Sequence, residues 1–196
     1  MSIEVAVFQH TRNNVPSINN VGVVNTNGTA VTWVSGDKFN TAWKDGQLIT
    51  INGVNRLVLS VTNAESLTLR TTAGVQTGVG YGVYRVYTLT AHQDAIDPYI
   101  VLNKVSGVRE YTHTEQASLV TTRYQLTVYG KNYSNTKATV EEIRQAFSGF
   151  KGQMGGASGT YVSSCFLDNE IDRFDQTLSS TDYYQVVVDY LIRHYE

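Results

Sequence analysis

The hydrophobic pattern of this chain passes from a strand repeat to a helix repeat at one clear place, and that switch limits its fold more than any other feature. From Thr122 to Tyr129 the pattern alternates. Tyr124, Leu126 and Val128 fall on one face, and Arg123, Gln125 and Thr127 on the other. This is the signature of a half-buried strand. After Tyr129-Gly-Lys-Asn-Tyr-Ser-Asn135 the apolar residues Val140, Ile143, Ala146 and Phe147 recur at three- and four-residue steps. That spacing predicts one helix from about Asn135 to Ser148 with a single apolar face. Ser134 or Asn135 can cap its start, and Gly149 can end it. The segments around it read as strands: Tyr99 to Val105 before, Thr160 to Ile171 and Tyr183 to Arg193 after. Pro98 keeps Asp97 out of a helix. The Gly-rich run from Gly152 to Gly159 reads as a flexible loop or turn.

Residues 1 to 83 follow a different grammar. Short apolar pieces are punctuated by Asn27-Gly28, Asp45-Gly46 and Asn52-Gly53, dipeptides that favour tight hairpin turns. Gln47 to Ile51 and Arg56 to Val61 flank Asn52-Gly53 as one hairpin, and Ser66 to Arg70 alternates as a further strand. The close spacing predicts a small barrel or sandwich. The expected class is therefore α+β: an all-β module at 1–83, then at 84–196 an antiparallel sheet of about four strands with one packed helix. The change of grammar across the glycines predicts two separately folding units that meet between Gly80 and Leu89.

Composition narrows the function. Charged residues make up only 16% of the chain, below the usual ~25%. Thirteen tyrosines stand against six phenylalanines. Tyrosine suits strands, and it also suits partly wet contacts between proteins. The net charge of −2 and the lack of a basic run argue against a nucleic-acid reader. The single cysteine, Cys165, rules out an internal disulfide and reads as a small buried hydrophobe. Met1 to Val7 has neither the basic start nor the apolar core of a signal peptide, so the glycosylation patterns at Asn27 and Asn132 carry no weight. No apolar run reaches the length of a membrane span.

A search for chemistry finds little. His10, His92, His113 and His194 lack a spacing that brings metal ligands together and read as exposed loop or strand-end residues. Ser163, Ser164 and Cys165 sit in a strand pattern rather than on a nucleophile turn. Gly78-Val-Gly80-Tyr-Gly82 opens no helix and so lacks a phosphate site. No catalytic, metal or cofactor site is expected, and an enzyme is the last choice. Trp33 and Trp43 read as core anchors, or else as stacking residues of a carbohydrate- or receptor-binding module. Asp168, Glu170 and Asp172 alternate, which in a regular strand puts them on one face. That face is either solvated or the wall of a channel that lets DNA slide past.

The order of segments from Tyr84 to Glu196 carries a resemblance. A strand at Asp-Pro-Tyr-Ile-Val-Leu102 precedes one ending Val-Tyr-Gly130. Lys-Asn-Tyr-Ser134 and the helix follow, then Gly-Phe-Lys-Gly152, Ser-Cys-Phe-Leu167 and Asp-Tyr-Tyr-Gln-Val-Val-Val-Asp-Tyr190. This ordered set resembles the tail-terminator (tail-completion) proteins of long-tailed bacteriophages. The resemblance implies a structural virion protein at the head-proximal end of the tail. It would assemble in the host cytoplasm into a ring, hexameric in this family. The ring would stop tail-tube growth, join tail to head connector and let DNA pass without specific binding. Its implied partners are further copies of itself, the tail-tube protein and the head connector, with no membrane. Tyr183, Tyr184 and Tyr190, on the Tyr-rich strand, are the expected contacts between copies. A related reading is another head–tail connector or a tail-tube protein. The family normally opens with a helix packed on its sheet, and the sequence shows no such helix before Tyr84.

Overall fold

The computed structural model describes residues 1–43, 45–91, 95–111, 116–175 and 183–195. It divides into two compact units, one formed by Met1–Ile18 with Arg85–Glu196 and the other by Asn19–Tyr84.

The smaller unit is a closed barrel. Its strands are β1 (Asn19–Asn27), β2 (Ala30–Gly36), β3 (Leu48–Ile51), β4 (Val54–Asn63), β5 (Ser66–Leu69) and β6 (Val75–Tyr84), in the order β1-β2-β5-β4-β3-β6. The ends close where β1 pairs with β6, Asn19 opposite Tyr84. The turn dipeptides act as the sequence implies. Asn52 and Gly53 take φ of 49° and 76° between β3 and β4, the positive values a tight hairpin needs. Val24, Val31, Ile49, Ile51, Val58, Leu67 and Leu69 are buried within it, and Phe39 is also buried, its ring tilted against Trp43 and edge-on to Tyr81. The glycines at 78, 80 and 82 do not merely lead into a strand; they lie within β6.

The larger unit begins with a helix that the sequence reading missed. α1 (Ile3–Asn14) presents Ile3, Ala6, Val7, His10 and Thr11 to the core. This is a helical stripe, but two of its members are polar, and the β-branched residues Ile3, Val5 and Val7 alternate with Glu4 and Ala6 as they would in a strand. A short 3₁₀ turn, Pro16–Ile18, follows. The expected all-β module at 1–83 therefore lacks its first eighteen residues, and the barrel sits as an insertion between this turn and the rest of the unit.

The remaining elements are β7 (Val86–Thr88), β8 (Tyr99–Tyr111), β9 (Gln116–Gly130), α2 (Tyr133–Phe147), β10 (Gly152–Met154), β11 (Thr160–Asp175) and β12 (Tyr183–Tyr195). They form a six-stranded sheet in the order β10-β11-β12-β9-β8-β7. The four long strands are the expected ones and pair antiparallel. The short β7 and β10 were not anticipated, and β7 runs parallel to β8. Both helices lie over one sheet face, whose core includes Leu126, Val128, Val140, Ile143, Phe147, Val188 and Ile192. α2 starts two residues earlier than its apolar spacing implied, because Asn132, not Ser134 or Asn135, caps it: the Asn132 side chain accepts a hydrogen bond from the Asn135 N–H at 3.1 Å. The Gly-rich turn after β10 has a packing reason as well. A Cβ on Gly155 would stand 2.8 Å from the Ala6 Cα, so only glycine lets α1 settle there.

Candidate functional site

The long strands β11 and β12 carry most of the residues singled out from sequence. β11 is not regular. A bulge between Leu167 and Asn169 inserts Asp168 into the ladder, and an inserted residue shifts the side-chain alternation by one. The expected single acidic face therefore does not form. Asp168 joins Asp189 around one guanidinium, at 2.9 and 2.8 Å from Arg123. Gln125 also donates to Asp189, which is buried at 5% exposure. Glu170 and Asp172 instead lie under α2. Lys137 reaches Glu170 at 2.8 Å and Asp172 at 3.1 Å, Arg144 reaches Glu170 at 2.6 Å, and the Tyr133 hydroxyl donates to Asp172.

Burial opposes ionisation of Glu170, but hydrogen bonds from Lys137 and Arg144 outweigh it and hold its carboxyl below the usual range. Asp172 is lowered in the same way, with Lys137 and Tyr133 overcoming desolvation. These carboxylates fasten α2 to the sheet. A repulsive channel wall requires an uncompensated acidic face, and the pairing with Arg123, Lys137 and Arg144 removes that premise.

The three tyrosines separate too. Tyr190 is fully buried, its ring 5.3 Å from that of Phe147, so it cannot meet another copy of the folded chain. β12 itself is interior, paired with β9 on one side and β11 on the other. Its main chain therefore offers no edge. Tyr184 remains half-buried between Phe174 and Tyr133, at ring distances of 5.2 and 5.4 Å. Tyr183 lies under the Lys131 ammonium at 5.7 Å. It also lines an open cleft of about 400 Å³ with Leu89, Tyr99, Val101 and Tyr129. Tyr99 and Tyr129 stack there at 5.0 Å, and burial pushes the Tyr99 phenol up to about 12. The cleft presents aromatic faces and small side chains, a surface for contact rather than for proton transfer.

Two histidines correct the expectation of exposure. His10 is buried in α1, and its Nε2 lies 2.9 Å from the carbonyl oxygen of Ala146, near the end of α2. Burial pushes its imidazole below the usual range. His194 is buried on β12, with Nε2 at 3.0 Å from the Thr122 hydroxyl. His92 and His113 fall outside the described residues. Cys165 is buried, and desolvation pushes its thiol up to about 12, far from a nucleophile's range. Among the described residues no three His, Cys, Asp or Glu side chains are grouped to hold a metal. Trp43 is buried in the barrel at 3% exposure, which removes it as a stacking platform. Trp33 is partly covered, with the Lys38 ammonium 5.0 Å above its ring.

Arg85 was not singled out from sequence and holds the point where the chain re-enters the larger unit. Its guanidinium donates to the carbonyls of Ile18, Asp97 and Ser17 at 3.0, 3.0 and 2.8 Å, and its N–H donates to the Ile18 carbonyl at 3.1 Å. The exit and return of the inserted barrel are thus tied within the larger unit. An arginine between two tyrosines in a strand pattern gives no sequence cue to this role.

The model of the tail completion protein gp17 family matches residues 68–195. No curated protein matches the chain significantly. Among solved structures, a chain of the virion of a native gene transfer agent particle is similar at 12% identity and a TM-score of 0.45, over 57% of this chain and 79% of that one. The family match spans most of the sheet unit, including the strands and helix just described, and the chain belongs to the tail completion protein gp17 family, structural proteins of the bacteriophage tail.

Proposed function

We propose that the protein assembles, as a hexamer on the family resemblance, into a closed ring at the head-proximal end of the tail tube. The ring ends tube growth and joins the tail to the head connector. The family match over 68–195 carries this reading. Exposed apolar side chains such as Val108, Tyr111, Phe166 and Phe174 support it as surfaces for contact between proteins. A ring follows when a heterologous contact between identical copies closes on itself. DNA passes through the lumen without specific binding, consistent with a net charge of −2 and no basic run. The protein then resides in the virion after assembly in the host cytoplasm.

The test is electron microscopy of particles made without this protein, with and without purified protein added back. Tails of irregular length that stay separate from heads, and that join heads once the protein is supplied, are expected. Uniform tails attached to heads in its absence, or a label found at the distal tip, would overturn the reading and favour another tail or connector role.

A further inference from the structure

The sheet of the larger unit ends in two long edges that no described strand covers. On one side, β10 pairs with β11 only at Thr160–Val162 and the Gly149 N–H donates to the Cys165 carbonyl, so the outer edge of β11 is unpaired from Phe166 to Asp175 among the described residues. On the other side, β7 pairs with β8 only at Ile100–Leu102, which leaves the outer edge of β8 unpaired from Asn103 to Tyr111. Long open edges are a liability that proteins usually cover. Here both carry large apolar side chains in the open: Val108 and Tyr111 on β8 at 63% and 71% exposure, Phe166 and Ile171 on β11 at 57% and 39%.

We propose that these two edges are partners: β11 of one copy pairs with the distal part of β8 of the next, continuing one sheet from copy to copy. The proposal rests on the ring reading and names its joint. Strand direction supports it first. Three antiparallel pairings, β8 with β9, β9 with β12 and β12 with β11, separate the two edges, so β11 runs antiparallel to β8. A rotation about an axis along the strands preserves strand direction, and neighbouring copies then meet as an antiparallel pair, whose short perpendicular hydrogen bonds are the stronger kind. Finally, the contact is heterologous, joining two different surfaces, as a ring requires.

Two double variants test the joint: Phe166→Lys with Ile171→Lys on β11 and Val108→Asp with Tyr111→Asp on β8, each of which replaces exposed apolar side chains with charges that pairing would have to strip of water. All four positions are exposed, so matched circular dichroism melts should show both variants folded. By native mass spectrometry, under conditions where the parent forms rings, each variant alone should stay monomeric. An equimolar mixture should regain assembly, as dimers through the one intact joint or as larger species if the introduced charges also pair. Rings formed by either variant alone would overturn the edge pairing while the ring reading stands. Folded variants that fail alone and in mixture would overturn it equally. A parent that stays monomeric even with tail-tube protein would remove the ring reading, and the joint with it.

Discussion

The barrel and the sheet unit treat their strand edges in opposite ways. The barrel closes β1 onto β6, so every strand has a neighbour on both sides and none is an edge strand. The sheet unit stays open and ends in the edges of β8 and β11. Its helices cover one face only, and ion pairs from α2 to Glu170 and Asp172 hold that cover in place. A closed module can be added to a subunit without changing how the subunit propagates. An open sheet is what lets identical copies join. On the proposed ring, the barrel is an accessory of this chain and the sheet unit supplies the joint.

The strongest way to break this comparison is at the core of the sheet unit. Phe147 is fully buried against Tyr190 and edge-on to His10, at ring distances of 5.3 and 4.9 Å. Phe147→Ala should cost about 3–5 kcal/mol in denaturant unfolding, and far-ultraviolet circular dichroism should show strand signal from the barrel persisting after the helices melt. A loss below about 1 kcal/mol would mean that α2 does not pack as described.

Arg85 comes next. Arg85→Ala leaves three carbonyls without their charged donor, and hydrogen bonds to charged groups are worth roughly 1.5–3 kcal/mol each before compensation by water. A net loss of about 2–4 kcal/mol is expected, with hydrogen exchange rising first at Ile18 and Ile100. Arg85→Lys should recover only part of it, since an ammonium lacks the planar fork.

Acid should then separate the two units. All four histidines lie outside 19–84. The pKa of His10 is lowered from 6.5 in the folded state, so the unfolded chain binds its proton more readily. That penalty is absent above the unfolded value and grows as pH falls below about 6.5. Glu170 and Asp172 are lowered from 4.5 and 3.8. Their stabilisation is present above those values and is lost as pH falls through the lower folded ones. Thermal melts should therefore show the sheet unit weakening between pH 7 and 5 and again below pH 4.5, with the barrel unaffected in the first interval. His10→Gln should flatten the first slope.

A smaller effect is expected at the α2 clamp itself. Glu170→Gln keeps the shape and removes the charge that Lys137 and Arg144 share, and such partly exposed pairs are worth roughly 0.5–1 kcal/mol. The acid-dependent slope below pH 4.5 should shrink with it.

The smallest effect should come from removing the barrel. Ile18 and Arg85 are already hydrogen-bonded at 3.1 Å, so replacing 19–84 with a short Gly-Ser linker should leave the sheet unit folded, as judged by its melting temperature and by native mass. A fragment that aggregates or melts without cooperativity would show that the two units do not fold separately.

Much of this was legible in the sequence because it rests on local rules. The alternation at Tyr124, Leu126 and Val128 named a face that is buried at 1%, 0% and 0% exposure. The helix-period residues Val140, Ile143 and Phe147 are each fully buried. Turn dipeptides placed the hairpin at Asn52-Gly53, and the order of segments pointed to the phage tail family. Each of these signals depends on residues within a turn or two of one another. What tertiary structure alone decided depends on distant partners. α1 is helical although its β-branched residues alternate, because Ala6 and Val7 find a core made by residues more than a hundred positions away and Gly155 leaves room for the helix to approach. One inserted residue at Asp168 sends neighbouring carboxylates to different cations, since strand alternation survives only until the first bulge. The free edges of β8 and β11 are likewise invisible in either strand's sequence: an edge is defined by which strand is missing beside it, and only the assembled sheet shows that.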